Sequence, residues 1–280
     1  MRGGSVMNKT NGKADLVDVG NAAQFVNLFS KPALRLNDNE VLAVADAAKS
    51  LSKAQANQLV NRINDVQAVA EAQNKGADLV TEDKKALVNV AGLSADFRVG
   101  SGFNMSGRSA DIGTALAYTC KAFQNGLMPA ATITYNLGDW HNFQDPSFQG
   151  AWGAYVSQTM SATIAFLKAT PHPFRPGKSL WDHTLIQWST EFTRGLSEVG
   201  MDNSDGGTQS FIFMGAAVKG GFYGTCDVGA NAAYGFNAAT GAPTMGTRNS
   251  IGSIYNTASK ILGNSERVAG DPSFDCLIKT

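Results

Sequence analysis

From Ser109 onward, helix and strand patterns alternate along the chain. Ser109 stands where a helix cap belongs, Ile112, Leu116 and Phe123 share one face, and Gly126 is placed to stop the helix. An alternating stretch, Ala130-Ala131-Thr132-Ile133-Thr134-Tyr135-Asn136-Leu137, follows at once and predicts a strand. A second helix, from about Trp152 to Lys168, carries Tyr155, Val156, Met160, Ile164 and Leu167. The turn His172-Pro173-Phe174-Arg175-Pro176-Gly177 then leads to a strand at 184–190, and a further strand follows at 210–214. The last helix is expected from about Ser250 to Leu262, with Ile251, Ile254, Tyr255, Ala258 and Ile261 facing inward. Strands separated by helices of this length predict an α/β fold built on a largely parallel, doubly wound sheet.

The chain before this alternation reads differently. Residues 1–36 lack periodicity. From Asn37 to about Lys75 the pattern is helical, with start signals at Asn37…Glu40 and Ser52…Gln55 and an apolar face of Leu59, Ile63, Val66 and Ala70. A short helix is expected from Thr81 to Val90, and the run Glu82-Asp83-Lys84-Lys85 reads as a solvated face. The division is therefore 1–92, an irregular start with a helical insertion or lid, and 93–280, the α/β portion.

At 280 residues and 43% hydrophobic content the chain can bury a substantial core. Lys+Arg and Asp+Glu both total 23, so no basic field exists to attract nucleic acid or anionic lipid. No apolar run is long enough for a membrane span. The start, Met1 to Gly20, has basic residues but no apolar core of the secretory kind, so the protein is read as cytoplasmic or as a chain whose beginning lies elsewhere. Of the three cysteines, Cys120 falls in a helical apolar pattern and reads as a buried thiol. Cys226 and Cys276 lie in glycine-rich or terminal segments, and their pairing stays open.

In an open α/β sheet, ligands bind beyond the carboxyl ends of the strands. The first predicted strand delivers Asp139, Trp140 and His141 there, and the second delivers Glu191 and Arg194. A carboxylate and an imidazole at a strand end suit metal ligation or acid–base chemistry, because both offer lone pairs. The alternative is structural, with Glu191 and Arg194 as a local ion pair and His141 capping a turn. Only His141, His172 and His183 are present, which excludes a histidine-rich two-zinc centre within this chain. His172 sits between residues of a proline-rich turn, and His183 stands where the chain enters a strand.

The order of these motifs resembles the carboxyl-terminal half of the sulfatase-like bacterial family known as domain of unknown function fifteen-oh-one, which belongs with the alkaline phosphatase superfamily. The resemblance covers roughly Ser109 to Gly263. Asp139 and His141 match the aspartate and histidine of the family's Gly-Trp-Asp-Thr-His strand end, with Trp140 in the middle position. Glu191, Phe192 and Arg194 match its Ser-Glu-Phe-Gly-Arg, with Thr193 in place of the glycine. Gly200 and Asp202 match its Gly-Arg-Asp-His-Trp, but Asn203 stands where the histidine belongs. Ala216-Ala217-Val218-Lys219-Gly220-Gly221 keeps its glycine-rich segment, followed by Tyr223, Gly224 and Asp227.

The resemblance implies an alkaline-phosphatase-like sheet, here partial, and metal-dependent hydrolysis of phosphate or sulfate esters. Asp139, His141 and Asp202 would be metal ligands, and Glu191 and Arg194 would be catalytic. The cofactor would be a divalent metal (zinc, calcium or magnesium), weakly bound because asparagine is a poorer zinc ligand than histidine. It also implies a periplasmic or secreted location. In the superfamily an amino-terminal strand supplies the nucleophile and a further metal-binding aspartate, and no such strand pattern precedes the helical block here. Three readings remain: a hydrolase completed by a missing amino-terminal segment or a partner polypeptide, a degenerate relative that binds an anionic small molecule, and a structural or assembly protein reusing the fold. Fold alone does not choose among them.

Overall fold

The computed structural model describes residues 22–27, 85–101, 103–105, 108–134, 146–189, 211–227, 232–245, 248–265 and 267–279. The chain divides into two compact units, one of Met1–Gly138 with Gly150–Leu180 and the other of Asp139–Gln149 with Trp181–Thr280. The helical block expected over 37–75 lies outside the described residues.

The first unit contains α1 (Ala22–Asn27), a 3-10 turn at Lys85–Val88, a second at Ala91–Leu93, α2 (Ser94–Phe97) and a hairpin of β1 (Phe103–Met105) with β2 (Arg108–Ala110). It continues with α3 (Ile112–Gln124) and all but the first turn of α4 (Pro146–Ala169). The short helix expected at Thr81–Val90 is, in its described part, the 3-10 turn Lys85–Val88. The cap of α3 is also corrected. Ser109 belongs to β2, and the Asp111 side chain accepts from Thr114 N–H at 3.0 Å. A carboxylate in that position satisfies an orphan donor and meets the positive end of the helix dipole. The other end closes as the sequence suggests. Gly126 N–H donates to Phe123 O and Leu127 N–H to Ala122 O, the two bonds of a Schellman motif.

Two clusters form this unit's core. Val90, Phe97, Ala117 and Cys120 pack with Leu116, Val99 and Phe166, while Val88 and Ala122 pack with Phe25, Leu127 and Met128. α3 meets the end of α2 closely at Gly113, where an added Cβ would overlap the Phe97 carbonyl oxygen and also press on Thr159 of α4. Gly113 N–H donates to the hydroxyl of fully buried Tyr155 at 3.1 Å. The buried stripe of α4 is Tyr155, Val156, Thr159, Thr163 and Leu167. Its two threonine hydroxyls donate back to Val156 O and Thr159 O, which makes them compatible with burial.

The strand expected near 130–137 is not formed in its described part. Residues 131–134 carry no regular structure, and Ala131, Thr132 and Thr134 are exposed. Alternation states which face a strand would bury, but a strand exists only where a neighbour completes its hydrogen-bond ladder. Tyr135, Asn136 and Leu137 lie outside the described residues.

The second unit holds the two strands expected at 184–190 and 210–214, as β3 (Ile186–Ser189) and β4 (Phe211–Met214). They pair antiparallel, with Ile186 opposite Met214 and Ser189 opposite Phe211. Beyond them, β5 (Thr225–Asp227) and β6 (Ala232–Tyr234) form a third antiparallel pair, and α5 spans Ile251–Ile261. All three strand pairings among the described residues are antiparallel and two-stranded, so the architecture they show is mixed α/β.

α5 corrects the expected inward set. Ile254 is buried, but Ile251 is 73% and Tyr255 45% exposed, while Gly252, Ser253, Asn256, Thr257 and Ser259 turn inward. The buried face is polar because the backbone of the following segment lies against it and needs hydrogen-bond partners. Apolar packing comes from elsewhere, in a cluster of Ile254, Phe274, Cys276 and Leu277 with Phe211, Phe213, Tyr223 and Phe236. Phe236 and Ala238 also belong to this core, although they lie in a stretch after Gly224 that is rich in small residues.

Candidate functional site

Asp139, His141, Glu191, Arg194 and Asp202, with Asn203, lie outside the described residues, and so does the convergence expected of them. What the structure places is the framework from which three of these residues depart. β3 alternates half-buried Ile186 and Trp188 with exposed Gln187 and Ser189, and Glu191 follows its last residue by two positions. Because Ser189 sits opposite Phe211, the connection 190–210 leaves and re-enters at one end of the pair. Glu191, Arg194 and Asp202 all belong to that connection.

The glycine-rich segment leaves from the other end. Met214 pairs with Ile186, and Gly215 follows at once, passing so close to the entry of β3 that an added Cβ would lie 2.7 Å from Thr184 O. Any side chain there would push apart the start of β3 and the end of β4. Ala216-Ala217-Val218-Lys219-Gly220-Gly221 therefore begins at the Ile186–Met214 end, while the residues after Ser189 begin at the opposite end. In one antiparallel pair the second and fourth motifs cannot both start at the same edge.

The loop after Gly215 is held by the segment that follows α5. Lys219 N–H donates to Leu277 O at 2.7 Å, Lys279 N–H to Ala217 O at 2.9 Å, and Lys279 Nζ to Ala216 O at 2.9 Å. Val218 forms a bridge with Ile278, and the Tyr223 hydroxyl donates to Cys276 O at 3.3 Å. Burial pushes the Cys276 thiol above its ordinary range. Phe222, next to Gly220 and Gly221, is fully exposed.

The two other histidines are described. His183 is exposed in the 3-10 turn Trp181–His183 at the entry to β3, and half-buried His172 accepts the Phe174 N–H through Nδ1 at 3.1 Å. Among the described residues no three of His, Cys, Asp and Glu gather as a metal-holding group. No described helix is long and apolar enough to cross a membrane.

The polar groups that sequence reasoning passed over are Asp111 and Asn256. Asp111 does carry a sequence signal, as an Asx residue directly before an apolar helical period and two positions after Ser109. Asn256 has no such signal, because its partners are main-chain groups at Val268 and Asp271. No family model, curated protein or solved structure matches the chain.

Proposed function

We propose that this chain is an incomplete or degenerate relative of the phosphatase and sulfatase families, binding an anionic ester through the 190–210 connection rather than hydrolysing it efficiently alone. One observation carries the reading: Glu191, Arg194 and Asp202 share a single connection whose two ends are paired at Ser189 and Phe211. A guanidinium on such a connection can grip a phosphate or sulfate by two parallel N–H···O bonds without a metal. Asp139, His141 and Asp202 would supply the ligands of a weakly held zinc, calcium or magnesium ion. Such a cation, when bound, acts as a Lewis acid on the ester oxygen. The doubly wound sheet belongs to the same reading, with β3 and β4 as antiparallel members of a mixed sheet, an arrangement that such folds allow. So do a periplasmic or secreted location and completion of the site by an amino-terminal segment or a partner polypeptide.

The test is an assay of the isolated chain on aryl phosphates and aryl sulfates with zinc, calcium, magnesium or manganese, beside His141→Ala. Turnover is expected to be slow or absent in both, with weak metal binding. Robust turnover abolished by the substitution would instead establish a self-sufficient metallohydrolase.

A second reading, a structural or assembly protein, is favoured by the outward stripe of Ile251, Tyr255 and Leu262 on and just after α5, exposed by 73%, 45% and 61%. It predicts concentration-dependent association in sedimentation that Tyr255→Asp abolishes; a concentration-independent monomer would count against it.

A further inference from the structure

The segment Arg267–Lys279 runs from the buried polar face of α5 to the loop after β4, and its bonds at both ends are specific. At the α5 end, Asn256, only 1% exposed, uses its whole amide on the segment's backbone. Its Nδ2 donates to Val268 O at 3.0 Å and Asp271 O at 2.6 Å, and its Oδ1 accepts from Val268 N–H at 2.7 Å. One turn position on, the buried Thr257 hydroxyl accepts from Phe274 N–H at 2.7 Å while donating to Ser253 O. The segment then inserts Phe274, Cys276 and Leu277 into the apolar cluster, and finally pairs with Ala216, Ala217 and Lys219 through main-chain and Lys279 bonds.

We infer that this segment is a strap which, together with the Ala216–Tyr223 loop, opens and closes as one cooperative unit latched by Asn256. The reason is the distribution of partners. The loop's long-range bonds at Ala216, Ala217, Lys219 and Tyr223 all end on Cys276, Leu277 or Lys279, so freeing the strap removes them together. The latch is all-or-none, because withdrawing one buried amide leaves three main-chain groups without that partner at once, and buried polar groups are costly to leave unsatisfied. The strap thereby sets how the loop presents exposed Phe222 and Lys219. This loop departs from the end of the β3–β4 pair opposite the proposed anion site, so the inference does not rest on that reading.

Native-state amide hydrogen exchange on the full chain tests it. In the wild type, the amides of Lys219, Phe274 and Lys279 are expected to share one opening free energy and one denaturant slope, smaller than the slope for the mid-helix amide of Ala258 in α5 of the same unit. Asn256→Ala should speed all three by roughly ten- to a hundredfold while leaving the α3 terminal amide of Leu127 unchanged. Rapid exchange at Lys219 with Phe274 and Lys279 still protected would overturn the coupling. Exchange of these three amides and Ala258 only through one common event would overturn the separate opening. The wild-type measurement decides even if Asn256→Ala fails to fold.

Discussion

Cys120 is 1% exposed on the inner side of α3, and burial pushes its thiol from 9.0 up to about 12. The unfolded chain ionises this thiol near its ordinary value, whereas the folded chain holds it neutral. Its contribution to stability is therefore complete below about pH 9 and is withdrawn as pH rises towards about 12. The advantage of the wild type over Cys120→Ala in thermal unfolding should shrink between pH 8 and pH 10.5. A gap that stays constant with pH would show that the thiol is not held neutral by burial. Gly113 makes a different point, since an added methyl would meet the Phe97 carbonyl, which cannot move as a side-chain tip can. Gly113→Ala is expected to cost about 2 kcal/mol or more in urea unfolding; a cost under about 0.5 kcal/mol would mean that α2 and α3 adjust freely. The burial of Cys120 was legible because it follows a helical period. The need for glycine at 113 was not, because it arises from a backbone atom sixteen positions away that no local pattern encodes.

Elements were legible where a pattern had a single physical cause. β3 and β4 follow from short β-rich runs, and α3 ends where a glycine can adopt the left-handed turn. α5 was legible as a helix but not in its orientation. Ile251, Tyr255 and Leu262 recur at a helical spacing that normally marks a core face, yet the strap's backbone claims the opposite, polar side through Asn256 and Thr257. The start of α3 shows competition between two plausible caps, and geometry favours Asp111, whose Oδ2 also accepts from Thr114 Oγ1 at 2.6 Å and from Gly100 N–H at 3.2 Å. Asp111→Ala should lower stability by about 1–2 kcal/mol, while Asp111→Asn, an equally good cap, should cost less than half of that. Equal losses in the two variants by chemical denaturation would transfer the effect from capping to the negative charge.

At the scale of the whole molecule, equal totals of 23 basic and 23 acidic residues leave no net field to gather anions from a distance. Under the proposed reading, recognition of an anionic ester would have to come from groups at short range, and the order of motifs would assign it to Arg194 on the connection between Ser189 and Phe211. The residue types on that connection and their order are in the sequence itself. The opposite starting edges of the second and fourth motifs are not legible there, because they follow from the antiparallel pairing of β3 with β4, and pairing direction leaves no mark in either strand's own residues. If a guanidinium fork is the main anion contact, a lysine cannot replace it, since a single ammonium offers a point charge without the paired donors. Sulfate or aryl phosphate binding, followed by calorimetry in the presence of EDTA, is expected to persist in the wild type and to weaken roughly tenfold or more in Arg194→Lys. Unchanged affinity in that variant would remove Arg194 from the site. Binding that vanishes on adding EDTA to the wild type would transfer the recognition to a metal held by Asp139, His141 and Asp202, and a matching loss in His141→Ala without EDTA would identify the imidazole as one of its ligands.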